Sequence, residues 1–223
     1  MFVKICGITN EEDALLSVAL GADALGFILA PSRRRVTPSQ VADIVKRLPS
    51  EVATFGVFVD EDPEIVAHLV DEIGLTGAQL HGSEGIRTLE AMRPRVRFLI
   101  KAVSADGMSI APYLDYPVDA LLLDSEQPGS GLAFDWSLID APRLRKRIIL
   151  AGGLRPGNVA EAIATVKPWG VDVSSGVEAS PGRKDPVALR TFISNARFAF
   201  ERLGEDAASG GGRGEAYNWE ENL

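Results

Sequence analysis

The chain has 223 residues, 46% hydrophobic and 24% charged, which is ordinary globular composition and long enough to bury one large core. Its 23 Lys and Arg against 31 Asp and Glu leave a net charge of −8, which argues against non-specific binding to nucleic acid or to an anionic membrane, since both ask for a basic face. No apolar run approaches the roughly 20 residues of a membrane helix, and the opening MFVKICGIT lacks the long apolar stretch of a secretory signal. A single cysteine, Cys6, excludes an internal disulfide and suits a reducing cytoplasm. Two histidines, His68 and His81, are too few for a dedicated structural zinc site.

Short apolar runs rich in Val, Ile, Leu and Ala alternate with helical patterns along the chain. The runs predict strands at 2–6, 24–28, 53–59, 77–80, 97–102, 120–123, 148–151 and 171–173. Their continuity is that of strands covered on both faces. Helix-start chemistry lies between them. Thr9-Asn10-Glu11-Glu12 opens a helix to about Leu20, and Thr37-Pro38 precedes one over 40–48. Asp62-Pro63-Glu64 precedes 65–73, and Ser83-Glu84 opens a segment to Met92. Arg155-Pro156 precedes 158–166, and Asp185-Pro186 precedes a last helix to Leu203. Asp, Ser or Thr ahead of Pro and Glu satisfies the exposed amides of a first helical turn. Two more helices are expected near 108–113 and 136–139, with weaker signals.

Eight such βα units imply a parallel sheet with helices outside. The first strand ends in Cys6-Gly7-Ile8-Thr9, not in the glycine-rich turn of an open dinucleotide-binding sheet. The expected fold is therefore α/β, a closed (β/α)8 TIM barrel forming a single domain over 1–203. The stretch 204–223, GEDAASGGGRGEAYNWEENL, has five acids, one base and no apolar period, and it is expected to be a flexible tail.

A barrel places chemistry on the loops after its strands. Cys6 ends the first strand and shares a side with Lys4. It is either a small buried thiol or a rim nucleophile or base helped by its basic neighbour. Arg33, Arg34 and Arg35 follow the second strand, where an arginine can bind phosphate or carboxylate through two hydrogen bonds. For Arg33 and Arg35 a solvated surface is the better reading. His81 follows the fourth strand and is a candidate acid, base or donor, or a residue that orients its loop. Asp124 and Asp135 flank a loop containing Gly129-Ser130-Gly131. Either can be a general acid, and Asp135 can also cap the helix at Trp136. Gly152 and Gly153 follow strand seven, and Ser174, Ser175 and Gly176 follow strand eight. Small residues in those two consecutive loops let backbone amides approach an anion, which points to a phosphate site. The residues alone thus describe a cofactor-free, metal-free barrel enzyme for a small phosphorylated substrate.

The stretches Lys4-Ile5-Cys6-Gly7-Ile8, Ser32-Arg33-Arg34-Arg35-Val36, Gln79-Leu80-His81-Gly82, Phe134-Asp135-Trp136, Ala151-Gly152-Gly153-Leu154 and Asp172-Val173-Ser174-Ser175-Gly176-Val177-Glu178 stand in an order covering residues 2 to about 200. In these motifs the chain resembles the phosphoribosylanthranilate isomerases of tryptophan biosynthesis. The resemblance implies an Amadori rearrangement of N-(5-phosphoribosyl)anthranilate, an aldose–ketose type isomerisation. It implies Cys6 as general base, Asp135 as general acid, and Arg34 at the anthranilate end. The glycine and serine loops match the family's phosphate site. It implies a cytoplasmic monomer or homodimer. Related phosphate barrels are the alternatives: the indole-glycerol-phosphate synthase type, or the histidine-pathway isomerase type, which is expected to carry Asp in place of Cys6. A non-catalytic phosphate-binding barrel is the alternative of a different class.

Overall fold

The computed structural model describes residues 1–105, 110–125, 136, 139 and 141–209. Eight parallel strands close a barrel in sequence order. They are β1 (Phe2–Cys6), β2 (Ala24–Ile28), β3 (Ala53–Phe58), β4 (Gly77–Leu80), β5 (Phe98–Ser104), β6 (Ala120–Asp124), β7 (Arg147–Leu150) and β8 (Gly170–Val173). β8 closes back on β1 with Phe2 opposite Gly170 and Lys4 opposite Asp172. Around the barrel run α1 (Glu11–Ala19), α2 (Pro38–Val45), α3 (Pro63–Ile73), α4 (Ile86–Met92), α5 (Val159–Val166) and α6 (Pro186–Ser209). Among the described residues no helix is long and apolar enough to cross a membrane.

Four of the helix starts follow the residues that signalled them, whereas α4 begins after Gly85 rather than at Ser83-Glu84 and α5 begins after Asn158, both without a side-chain cap. Asn10 accepts from the Asp13 amide at 2.9 Å, and Thr37 and Gln40 cap each other's amides ahead of Pro38. Asp62 accepts from Glu64, and Asp185 accepts from Val187 and Ala188. Each such cap stabilises its helix by about 1 kcal/mol.

Strand alternation splits the core in two. Val3, Ile5, Leu25 and Phe27 face outward into the layer beneath the helices. Phe2, Phe55, Phe98, Ile100, Leu122 and Ile149 fill the barrel interior. The floor is aromatic: Phe2 stacks on Trp169 at 4.6 Å, and the Arg147 guanidinium lies over the rings of Trp169 and Phe98. This closes the end of the barrel away from the mouth.

Some local expectations change. The expected helix at 108–113 is, in its described part, a 3-10 turn at Ala111–Tyr113. Residues 137 and 138 of the stretch 136–139 lie outside the described residues, and a 3-10 turn at Ala141–Leu144 precedes β7. Pro112 and Pro142 lack the amide proton that a longer helix needs. A short antiparallel pair, β9 (Glu178–Ser180) and β10 (Arg183–Lys184), follows β8. The last helix runs to Ser209, past the expected boundary at Leu203. Gly204 costs a helix interior only about 1 kcal/mol, and Glu205 to Ala208 carry no breaker. Of the expected tail, residues 210–223 lie outside the described residues.

Candidate active site

The sequence-selected residues that are described meet at the C-terminal end of the barrel. β1 lies between β8 and β2, so Cys6 sits between the loops after β7 and β8 on one side and the Arg34 loop on the other. Cys6 is 5% exposed and Lys4 is fully buried, both on the interior face. Lys4 Nζ is 2.9 Å from Asp172 Oδ1. Breaking a buried pair of this kind strands the other charge, at a cost of about 3–5 kcal/mol. Burial works against the Lys4 ammonium, but Asp172 and Cys6 outweigh it and hold its pKa above the ordinary lysine range.

The sequence left Cys6 open between a buried thiol and a rim base, and the structure shows a buried side chain with the basic neighbour beside it. Its basic neighbour is in place and favours the thiolate, as does Lys184. Burial, with Asp172 adding to it, outweighs both and pushes the thiol pKa up. The resting side chain is thus a thiol whose thiolate is reached only at cost. Alkylation of native Cys6 by iodoacetamide should therefore be slow at neutral pH. It should rise about tenfold per pH unit to a midpoint above the ordinary value of about 8.5. Alkylation rates between pH 6 and 10 check this, and a midpoint below 8 would contradict it.

Arg34 is half-buried while Arg33 and Arg35 are exposed, which separates the three as their sequence reading did. Arg34 Nε and Nη2 grip both oxygens of Glu178 at 2.8–3.0 Å. That carboxylate is desolvated, but Arg34 and Lys184 more than offset this and hold its pKa below the usual range. Lys184 Nζ donates to the carbonyls of Cys6 (2.7 Å) and Ser174 (3.1 Å) and to Glu178 (3.1 Å). One ammonium thus ties the ends of β1 and β8 to the hairpin β9–β10. Burial pulls the Lys184 pKa down.

Gly152 and Gly153 both have positive φ, 73° and 67°, a conformation that a branched side chain resists. With Ser174, Ser175 and Gly176 they line a cavity of about 40 Å³, which Asp124 and Asp172 also reach. The chain after Ser174 makes a 3-10 turn at Ser175–Val177. Ser174 Oγ is buried without a hydrogen-bond partner among the described residues. Two small-residue loops and an unpaired hydroxyl are a geometry able to receive a compact anion.

His81 Nδ1 lies 3.0 Å from Gln79 Nε2. Its Nε2 lies 3.4 Å from Asp124 Oδ2, and no well-aligned hydrogen bond engages that nitrogen among the described residues. Asp124 accepts from the Ser125 amide at 2.8 Å. His81 and Asp124 share a second cavity, about 410 Å³, with Ser104, Tyr113 and Tyr116. Its wall is braced by Lys101, which donates to the Gly82 carbonyl at 2.7 Å and to Glu84 at 2.9 Å. Asp135 and the Gly129-Ser130-Gly131 loop lie outside the described residues.

Sequence reasoning gave no role to Lys184, Glu178, Asp172 or Lys101. A Pro181-Gly182 turn between Glu178 and Lys184 was the available signal for the hairpin that pairs those two residues. The partners of Lys4 and Lys101 are distant in sequence and left no local mark.

The family model described as N-(5'-phosphoribosyl)anthranilate (PRA) isomerase matches residues 3–195. The chain belongs to the phosphoribosylanthranilate isomerase family. Among curated members, the N-(5'-phosphoribosyl)anthranilate isomerase of Desulforudis audaxviator is 48% identical over 204 residues, covering 88% of this chain and 98% of the relative. The crystal structure of the phosphoribosyl anthranilate isomerase from Thermus thermophilus matches with a TM-score of 0.83 at 44% identity, covering 89% of this chain and 99% of that one. A phosphoribosyl anthranilate isomerase crystallised with reduced 1-(o-carboxyphenylamino)-1-deoxyribulose 5-phosphate matches with a TM-score of 0.80 at 44% identity and the same coverage. Membership sets aside the synthase and histidine-pathway alternatives and the non-catalytic barrel.

Proposed function

We propose that the mouth of this barrel rearranges N-(5'-phosphoribosyl)anthranilate to 1-(o-carboxyphenylamino)-1-deoxyribulose 5-phosphate, with Cys6 as base and Asp135 as acid. The observation that carries this reading is the placement of Cys6 between an anion cradle and a guanidinium. Gly152, Gly153, Ser174, Ser175 and Gly176 hold the phosphate. Arg34 addresses the anthranilate carboxylate at the other end, and its Nη1 is not used by the Glu178 pair. His81 lines the cavity beside the reacting sugar.

The steps follow from a substrate stretched across the mouth. Asp135 donates a proton to the furanose ring oxygen as the C1–O bond breaks, and the nitrogen lone pair forms an iminium at C1. Cys6 thiolate takes the proton from C2, and the C–H electron pair becomes the C1–C2 double bond of an enolamine. Protonation at C1 and loss of the C2 hydroxyl proton complete the ketone. C2 is oxidised and C1 reduced within one molecule, so the electrons balance internally. Positioning and two proton transfers supply the catalysis. A free thiol base needs reducing surroundings, which fits a cytoplasmic site of action.

The phosphate grip is tested by comparing the substrate with its dephosphorylated form. Binding energy at the phosphate positions a reacting carbon several bonds away, so its loss should lower kcat as well as raise KM. The expected drop in kcat/KM is about 10²-fold or more. Gly153→Val should bring most of that loss on the phosphorylated substrate and almost none on the dephosphorylated one. Equal kcat/KM for the two substrates in the unmodified protein would overturn the assignment.

A further inference from the structure

Beneath Cys6 lies a buried ion pair to which the proposed chemistry gives no part. Lys4 is fully buried inside the barrel, and its Nζ pairs with Asp172 at 2.9 Å. Gly26, opposite Cys6 on β2, shows where the ammonium points. A Cβ added there would lie 2.7 Å from Cys6 Sγ and 2.9 Å from Lys4 Nζ. Sulfur and ammonium thus crowd the same small gap, which exists because position 26 has no side chain. A lysine buried for packing alone would be costly, and the barrel interior below it is aliphatic and aromatic, with Gln79, Asp124 and Asp172 as further buried polar side chains on the inward-facing strand positions.

We propose that Lys4 is a positioning residue that makes Cys6 usable as a base: its ammonium is held by Asp172 in the resting protein and becomes the counter-charge of the thiolate during turnover. This rests on the reading of Cys6 as the base. Among the described residues, the charged groups facing Cys6 are Lys4 on its own strand, Asp172 on β8, Lys184 on β10 and Arg34 on the loop after β2. Lys184 and Arg34 are occupied elsewhere, by carbonyls and by Glu178. Lys4 is the cation whose head group meets the sulfur itself. Asp172 opposes it, since a carboxylate near a thiol disfavours ionisation. The two members of the pair therefore act on the sulfur with opposite signs.

The test measures iodoacetamide alkylation of Cys6 against pH in the intact protein and in two variants. Lys4→Met removes the counter-charge and should raise the midpoint by about one unit or more. Asp172→Asn keeps a near-isosteric neighbour and leaves the ammonium to the sulfur alone, so the midpoint should fall. In Lys4→Met, kcat should drop several-fold while affinity for the reduced product analogue holds. Midpoints that stay put, or that move the same way in both variants, would overturn the proposal. If Lys4→Met does not fold, the Asp172→Asn midpoint decides alone: a fall supports the proposal and no change or a rise refutes it. Alkylation reads the thiol whether or not it is the catalytic base. A Cys6→Ser protein that kept its activity would sink the base assignment and leave the charge pairing to be judged on its own midpoint.

Discussion

Cys6→Ser should lower kcat by about 10²–10⁴-fold or more while leaving the barrel folded and able to bind the product analogue. The two side chains differ little in volume, and the site already holds polar neighbours in Lys4 and Asp172. What changes is the proton. A thiol is a far stronger acid than a serine hydroxyl even where burial raises its pKa, as it does here, and the hydroxyl stays protonated at any pH the protein survives. Steady-state kcat with a parallel binding measurement separates the two effects. If the serine protein kept about a tenth of the parent kcat, Cys6 could not be the base. A structural thiol would give the reverse pattern, with stability lost and turnover kept.

Asp135→Asn should lower kcat by a comparable factor, about 10²–10⁴-fold, with little change in thermal stability. Asparagine keeps the shape and most of the capping ability of aspartate but has no proton to deliver to the ring oxygen. Asp124→Asn is the matched control. Asp124 sits at the end of β6 with one oxygen on the Ser125 amide and the other facing His81. It borders both cavities at the mouth. Its substitution should therefore weaken binding or alignment more than it removes a proton donor, with a smaller loss in kcat. Turnover near the parent level in Asp135→Asn, with Asp124→Asn inactive, would exchange the two roles.

The barrel was legible because its eight strands are continuous apolar runs and most of its helices begin with capping residues that do in the structure what they signal in the sequence. Asn10, Thr37, Asp62 and Asp185 all bond the amides expected of them. The two weakly signalled connections, after β5 and β6, are also where prolines replace helical donors. At the mouth, strand alternation was enough to put Lys4 and Cys6 on the inner face. It could not give the balance between burial and charge at the sulfur, which depends on Asp172, 166 residues further along the chain. The same holds for Lys184, whose three acceptors come from β1, the end of β8 and β9. Single-residue chemistry can be read locally, but the partners that tune it are brought together by barrel closure.

The most direct measurement is a single turnover of N-(5'-phosphoribosyl)anthranilate carrying deuterium at C2, with the product analysed by mass and NMR. Proton removal at C2 requires the label to leave that carbon, for solvent or for C1. It also requires the carbon skeleton and the anthranilate nitrogen to remain joined, with labelled substrate converting more slowly wherever the C2 proton transfer limits the turnover. Unchanged substrate, or release of free anthranilate with the label still on the sugar, would contradict isomerisation at this mouth.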